Sequence, residues 1–179
     1  MKRVATVLLG LFLASCALRC GRLSQVGGGD TASLLPVADI SGWTTSGDIE
    51  SVSNTTNLYN WDDGAEQVFV DHKFVEASRR IYSGTASAGT IQLRLRVYAL
   101  PDSNGAKATF NDTRSGTGTP LTGSQNPGRE ARLDESAIQA LTLEYWKSRY
   151  FVRVVIEENS LQAQNVLFLF ASNVAGKIR

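Results

Sequence analysis

Histidine and cysteine are nearly absent from this 179-residue chain: His72 is the only imidazole, and Cys16 and Cys20 are the only thiols. A structural zinc site takes about four such ligands, so these three do not furnish one, and no metal or other cofactor is expected. Charge of one sign is lacking as well. Eighteen Lys and Arg stand against 17 Asp and Glu, which leaves no global basicity of the kind that marks nucleic-acid binders. Long apolar runs are missing too: the most continuous, Val4 to Ala14, has 11 residues, about half of what a membrane-spanning helix needs. A phosphate-cradling loop is also wanting, since "QVGGGD" is followed by no lysine.

What is present begins at the N-terminus. Lys2 and Arg3 precede the apolar run and small side chains close it, the order of an export signal. Leu13-Ala14-Ser15-Cys16 follows: aliphatic, small, small, cysteine. These four residues resemble the lipobox of bacterial lipoprotein precursors, in which small residues admit the peptidase to the bond before the cysteine that is lipidated. Cys20 lacks this context, because Arg19 stands where a small residue is required. The resemblance implies a diacylglyceryl thioether on Cys16, usually with an amide-linked acyl chain. At about 0.8 kcal/mol per buried methylene, several such chains hold a protein on a membrane essentially permanently. It also implies a bacterial cell-envelope location, and Ala17 after the cysteine points to the outer membrane, facing the periplasm or the cell surface. A Cys16–Cys20 disulfide would leave no thiol to lipidate, so Cys20 is expected as an odd thiol, free or paired with another chain.

Three segments follow from this reading: residues 1–15 as a lipoprotein signal peptide, 16–33 as a lipidated, glycine-rich flexible tether, and 34–179 as a single domain. Loss of Lys2 and Arg3 with the leader leaves 16 basic against 17 acidic side chains.

Periodicity predicts the elements of that domain. In "NLYNWDDGAEQVFVDHKF", Leu58, Trp61, Ala65, Val68, Phe69 and His72 fall on one face of a helix, with Thr56 or Asn57 available to cap it. "TIQLRLRVYAL" alternates strictly, with Ile91, Leu93, Leu95 and Val97 on one face and Gln92, Arg94, Arg96 and Tyr98 on the other, and so predicts a half-buried strand. "ASRRIYSG" reads as its hairpin partner across "SGTASAG". "LTLEYWKSRYFVRVVIEE" supplies two more strands turning near Lys147-Ser148, with an inward set of Leu143, Tyr145, Phe151 and Val155. A short helix is expected around Ala106 to Asn111. Leu167, Phe170, Ala171, Val174 and Ile178 have the spacing of a closing helix. Between these, Ser115 to Arg129 is a long loop of glycine, threonine and proline. The expected class is α+β, a twisted, mainly antiparallel sheet with two or three helices on one face.

Leu35-Pro36, Gly42-Trp43, Asn57-Leu58-Tyr59, Trp61, Gly64-Ala65, Phe74, and Trp146 with Tyr150-Phe151-Val152 form a framework of aromatic and small residues. This framework resembles a family recurrent in exported bacterial proteins and lipoproteins, domain of unknown function 6599, over roughly residues 34 to 178. Asp62 and Asp63 stand where the family has isoleucine and asparagine, Lys73 precedes Phe74 in place of glycine, and Ser148 replaces a late glycine. The resemblance implies a fold and brings no catalytic motif.

The remaining constellations divide between chemistry and plain structure. Asp62, Asp63 and Glu66 gather three carboxylates in the first half of the expected helix. They lack the alternating oxygen ligands of a calcium loop and read as solvated charges favoured by the helix's positive end. "DSNG" at Asp102 to Gly105 reads as a turn. His72 is the only imidazole base, but "SGTASAG" and "TRSGTGT" lack the strand-to-helix setting of a nucleophile, so no catalytic residue is assigned. Arg79, Arg80, Arg94, Arg96 and Arg153, with Tyr98 among them, could gather on the polar faces of neighbouring strands as a patch for an anionic partner. Alternatively these arginines are long covers over a solvated face, paired with Glu130, Glu157 or Glu158.

The functional expectation is a non-enzymatic envelope lipoprotein, held to the membrane by Cys16, whose domain binds an envelope partner. A carrier with an apolar cavity is the alternative, and a hydrolase comes third. Replacing Cys16 with serine should leave unprocessed precursor and abolish labelling by radioactive palmitate, whereas undiminished labelling would move the lipid elsewhere.

Overall fold

A computed structural model of the chain describes residues 30–38, 40–61, 66–87 and 89–179. The expected signal peptide, Cys16, Cys20 and Ala17, as well as Asp62, Asp63, Gly64 and Ala65, lie outside the described residues. Among the described residues no helix is long and apolar enough to cross a membrane.

In chain order the elements are α1 (Asp30–Leu34), β1 (Trp43–Val52), α2 (Thr55–Tyr59), α3 (Gln67–Asp71), β2 (Glu76–Ala86), β3 (Gly89–Ala99), α4 (Ser103–Asn111), β4 (Thr119–Pro120), β5 (Glu130–Asp134), β6 (Leu141–Lys147), β7 (Tyr150–Ile156) and α5 (Leu161–Lys177). The fold is α+β. Its strands form one seven-stranded sheet in the order β1-β2-β3-β7-β6-β5-β4, and every neighbouring pair is antiparallel. β3 and β7 pair across the longest stretch of chain; β1 and β2 are joined through α2 and α3, β4 and β5 through a 3-10 turn at Gly123–Gln125, and β2–β3, β5–β6 and β6–β7 by short connections.

Alternation along the strands gives each face its own core. Leu93, Leu95 and Val97 of β3, Leu141, Leu143 and Tyr145 of β6, and Val152, Val154 and Ile156 of β7 point one way and meet Leu167, Phe170, Ala171 and Val174 of α5. That helix starts at Ser160, whose hydroxyl accepts from the Ala163 N–H at 3.1 Å, and carries Lys177 in its last turn, where a cation suits the helix's negative end. Trp43 at the β1 end of this core lies so close over Gly84 that an added Cβ would be 2.3 Å from its ring, which is why the position opposite Trp43 has no side chain. The other face buries Ala77, Tyr98 and Phe151 against Leu58, Val68, Phe69, Ala106 and Phe110 from α2, α3 and α4.

Helices therefore cover both faces of the sheet, where the sequence predicts them on one. The cause is visible in β3 itself: its second face is polar at Gln92, Arg94 and Arg96 but ends in Tyr98, whose ring demands cover. The single helix expected from Leu58 to His72 is two short ones. Asn54 caps α2 by accepting from the Asn57 N–H, and α2 ends at Asn60, whose N–H turns back to Asn57 and Leu58 carbonyls. Leu58, Trp61, Val68 and Phe69 are nevertheless all buried as the spacing predicts. On β6 and β7 the inward set needs correction. Tyr145 pairs with Val152 and Leu143 with Val154, so Phe151 and Val155 face the opposite side. A two-residue turn, with Ser148 at φ 53°, sets this register, and a one-residue slip moves every side chain to the other face.

Two boundaries differ as well. Residues 30–33, read as tether, belong to α1, where Thr31 is buried and its hydroxyl bonds that of Ser78 at 2.8 Å. Asp102 is the cap of α4, accepting from Gly105 N–H, and its "DSNG" is a helix start in place of a free turn. β1 and β5 carry no sequence signal of their own: β1 is an edge strand of polar residues broken by a bulge between Ser46 and Glu50.

The phase of α5 can be tested by paired truncations. Leu167→Ala should cost about 2–5 kcal/mol in urea denaturation, while Leu169→Ala, on the solvent side of the same helix, should stay within about 0.5 kcal/mol.

Candidate functional site

The register of the sheet lines up one charged residue from each of six strands. Glu50 pairs with Arg79, Arg79 with Arg96, Arg96 with Arg153, Arg153 with Glu144, and Glu144 with Arg132, so the row runs across β1, β2, β3, β7, β6 and β5. One row toward the covered end stand Ala77, Tyr98, Phe151 and Trp146; one row toward the open end stand Ile81, Arg94, Val155, Thr142 and Asp134. The face is thus apolar under its helices, charged at their margin, and open beyond.

The β5–β7 half of the row is a clamp. Arg153 donates through Nε to Glu144 Oε1 at 2.6 Å, and Arg132 donates through Nε to Oε2 at 2.7 Å. Arg132 also donates to the Phe110 carbonyl at 2.7 Å and to Ser115 Oγ at 2.8 Å, while Arg153 reaches the Ser115 carbonyl. The Glu144 side chain is only 3% exposed. Ser115 and Gly116 close over it: Gly116 lies at φ 151°, and a Cβ there would come within 2.3 Å of Glu144 Oε2. Glycine is required at this position for both reasons. The loop from Ser115 to Arg129 therefore begins as the lid of the clamp and continues as β4. Burial works against the charge on Arg153, but Glu144, Tyr98 and Glu66 outweigh it and hold the guanidinium pKa above its usual value.

At the centre, Tyr98 is wholly buried, stacked on Phe69 with centroids 3.7 Å apart, and donates its hydroxyl to Glu66 Oε1 at 3.0 Å. Burial, with the Glu66 carboxylate beside it, pushes the phenol far above its ordinary pKa. Arg96, 7% exposed at its side chain, stands 3.7 Å from the same carboxylate oxygen. Two expectations change here. Tyr98 is a core residue with no surface to offer a partner, and Glu66 is a buried acceptor where solvated helix-end charge was expected. Glu66 precedes α3 directly, and the short helix turns its carboxylate toward the sheet arginines.

At the β1–β3 end the row is exposed and its ion pairs are loose. Arg79 bonds Glu50 at 2.8 Å and the Trp61 carbonyl at 3.2 Å, with its guanidinium 4.8 Å over the Trp61 ring. Arg94 pairs with Glu157, and both side chains are more than two-fifths exposed. A surface cavity of about 300 Å³ opens here, lined by Trp61, Arg79, Ile81, Gln92, Arg94 and Arg96. A second, of about 330 Å³, shares Arg94 and Arg96 and extends over Thr142, Asp134 and the clamp. The structure thus brings Arg79, Arg94, Arg96 and Arg153 together, as the alternation suggests. It also pairs all four with carboxylates, Glu157 among those expected, whereas Glu130 approaches Lys107 at 3.9 Å and Glu158 bonds the Ser87 N–H. Arg132 and Glu144 were not singled out in the sequence; the only signal for them is parity, which sets Arg132 with Glu130 and Asp134 and Glu144 with Thr142, opposite Leu133, Leu141 and Leu143.

His72 lies apart from this site. Its Nε2 is 3.2 Å from Asp112, whose carboxylate is already held by Arg114. Those Arg114 hydrogen bonds, with His72 beside them, hold Asp112 well below the usual carboxylate range, and Arg114 lowers Asp71 in the same way. The imidazole thus faces an ion pair at the end of α4. Among the described residues no group of three or more His, Cys, Asp and Glu is placed to hold a metal ion.

Compared with protein-family models, curated proteins and solved structures, the chain matches none.

Removing one member of the clamp isolates the others. Glu144→Gln should cost about 3–5 kcal/mol by leaving Arg132 and Arg153 buried without their carboxylate, and replacing all three with Leu and Met should recover most of that loss. Denaturant midpoints of the two variants measure both effects.

Proposed function

We propose that the protein is a lipid-anchored component of a bacterial cell envelope, outer membrane in preference, whose domain binds a partner without catalysis. Kinship with the exported family of domain 6599 is part of the same proposal. Burial or packing of Trp43, Leu58, Trp61 and Phe151 in the two cores supports a shared framework of that kind.

One observation carries the binding reading: the arginine row is stiff at one end and exchangeable at the other. Buried and hydrogen-bonded on all sides, Arg132, Glu144 and Arg153 form a rigid base. Arg94 and Glu157 form an exposed pair, of a kind that contributes only about 0–1 kcal/mol, and Arg79, itself half-buried against Trp61, has an exposed partner in Glu50. A carboxylate or phosphate group on a partner replaces Glu50 or Glu157 at little cost, and the Trp61 ring and Gln92 provide an adjoining wall. The carrier reading has less behind it, because Phe69, Tyr98 and Phe151 on one face and Leu167 and Phe170 on the other occupy the interior themselves. An acid–base hydrolase would need a nucleophile beside His72, and the side-chain partner of its ring among the described residues is Asp112, a carboxylate itself held by Arg114.

A photo-crosslinking residue at Gln92, in living cells, tests this. It should yield an adduct that falls by on the order of tenfold when Arg79→Gln and Arg94→Gln are added. The same probe at Leu169, on the outer face of α5, should give none. Adducts indifferent to both arginines would overturn the proposal.

A further inference from the structure

The two ends of the sheet differ in charge, and the N-terminal segment joins at one of them. The first end is formed by Glu76, Ala99, Tyr150 and Lys147, which close β2, β3, β7 and β6 in register. Asp30, the first described residue, is tied to it by Arg149 at 2.9 Å, so residues 1–29 enter the domain here. Around this end stand Lys73, Arg129, Lys147, Arg149 and Arg179. Its carboxylates are occupied: Asp30 by Arg149, Glu76 by the Thr31 N–H, and Asp102 by the Gly105 N–H. Neither Arg129 nor Arg179 has an ion pair among the described residues, and both are exposed. At the opposite end, beyond Asp134 and Ile156, the carboxylates Asp134, Glu135, Glu157 and Glu158 stand against Arg94, which pairs with Glu157. The domain is therefore basic where its anchor segment joins and acidic where it points away.

The basic end also holds a cavity of about 760 Å³, lined by Ser103, Gly128, Arg129, Trp146, Lys147 and Arg179. Cationic side chains around a recess, with hydroxyls at Ser103 and Ser148, suit a phosphodiester. We infer that this recess receives the headgroups of anionic phospholipids, so that the domain lies with its basic end against the bilayer that holds its lipid. Charge complementarity and the entry point of the N-terminal segment commit the surface to a membrane, and the acidic far end reinforces the orientation through repulsion from the same lipids. The inference rests on the anchor at Cys16 for its geometry and is distinct from the Arg79–Arg94 site, which lies on the sheet face.

The test uses the full chain, with Cys20→Ser to clear the native thiol, reconstituted in vesicles of phosphatidylcholine alone or mixed with phosphatidylglycerol. A fluorophore on Ser103→Cys reports contact with a headgroup-linked quencher, and one on Ile138→Cys, 92% exposed at the acidic end, serves as reference. Quenching at 103 should exceed that at 138 in the anionic vesicles and fade in high salt. Arg129→Gln with Arg179→Gln, two exposed side chains whose loss leaves the fold intact, should shift the docked-to-undocked ratio by on the order of tenfold. Equal quenching at both sites, or in both lipids, overturns the inference. So does saturable binding of inorganic phosphate without any preference between lipids, which assigns the recess to a soluble anion. Palmitate labelling of the same protein separates the two readings: labelling without docking sinks this one alone, and docking without labelling sinks only the anchor.

Discussion

Glu144 between Arg132 and Arg153 is the interaction on which one whole face of this protein depends. Three ionised groups out of water are tolerable only if nearly every donor and acceptor is used, and here the Phe110 carbonyl and both oxygens of Ser115 take up the remaining guanidinium hydrogens. That requirement reaches outward. It fixes the end of α4 through Phe110, folds the first residues of the long loop over Glu144, and demands glycine at 116. The cost of burying the charges is repaid in position: the row they belong to holds Arg96 and Arg79 in line on the neighbouring strands.

From that line the second face acquires its gradient. Toward α2, α3 and α4 the next row is Ala77, Tyr98, Phe151 and Trp146, dry and aromatic; toward the open end it is Ile81, Arg94, Val155, Thr142 and Asp134. Short helices suffice as cover because they need to shield only one row. The first face, packed on α5, has no such gradient and works as the ordinary core. Exposed charge on this face is thus gathered at the margin where burial stops, and the same strands that bury Leu93 and Val154 on one side present Arg94 and Val155 on the other.

Much of the fold was legible before any coordinates. Strict alternation in Ile91 to Tyr98 placed β3, its hairpin partner followed, and the helical spacing from Leu167 to Ile178 gave α5 with every named residue buried. Alternation also put Arg94, Arg96 and Tyr98 on one face. What alternation does not carry is the identity of the residue across the strand boundary. Arg96 meets Arg79 through the register of the β2–β3 hairpin and Arg153 through the long-range pairing of β3 with β7, and the misplacement of Phe151 and Val155 is the same missing information seen at β6–β7. β1 and β5 were invisible because an edge strand and a five-residue strand are held by pairing partners and offer little pattern of their own.

By itself, then, the sequence determined the periodic elements, the α+β class and the parity of each strand residue, since these are properties of one stretch of chain and its nearest neighbours. The order Leu13-Ala14-Ser15-Cys16 behind an apolar run, on which the proposed anchor rests, is local in the same sense. Only the tertiary structure decided that Glu66 and Tyr98 are buried partners, that Glu144 is held by two arginines, and that the charges separate into a basic end and an acidic one. Those facts depend on which strands lie side by side, and that is set by the summed packing of two cores, a quantity no single segment contains.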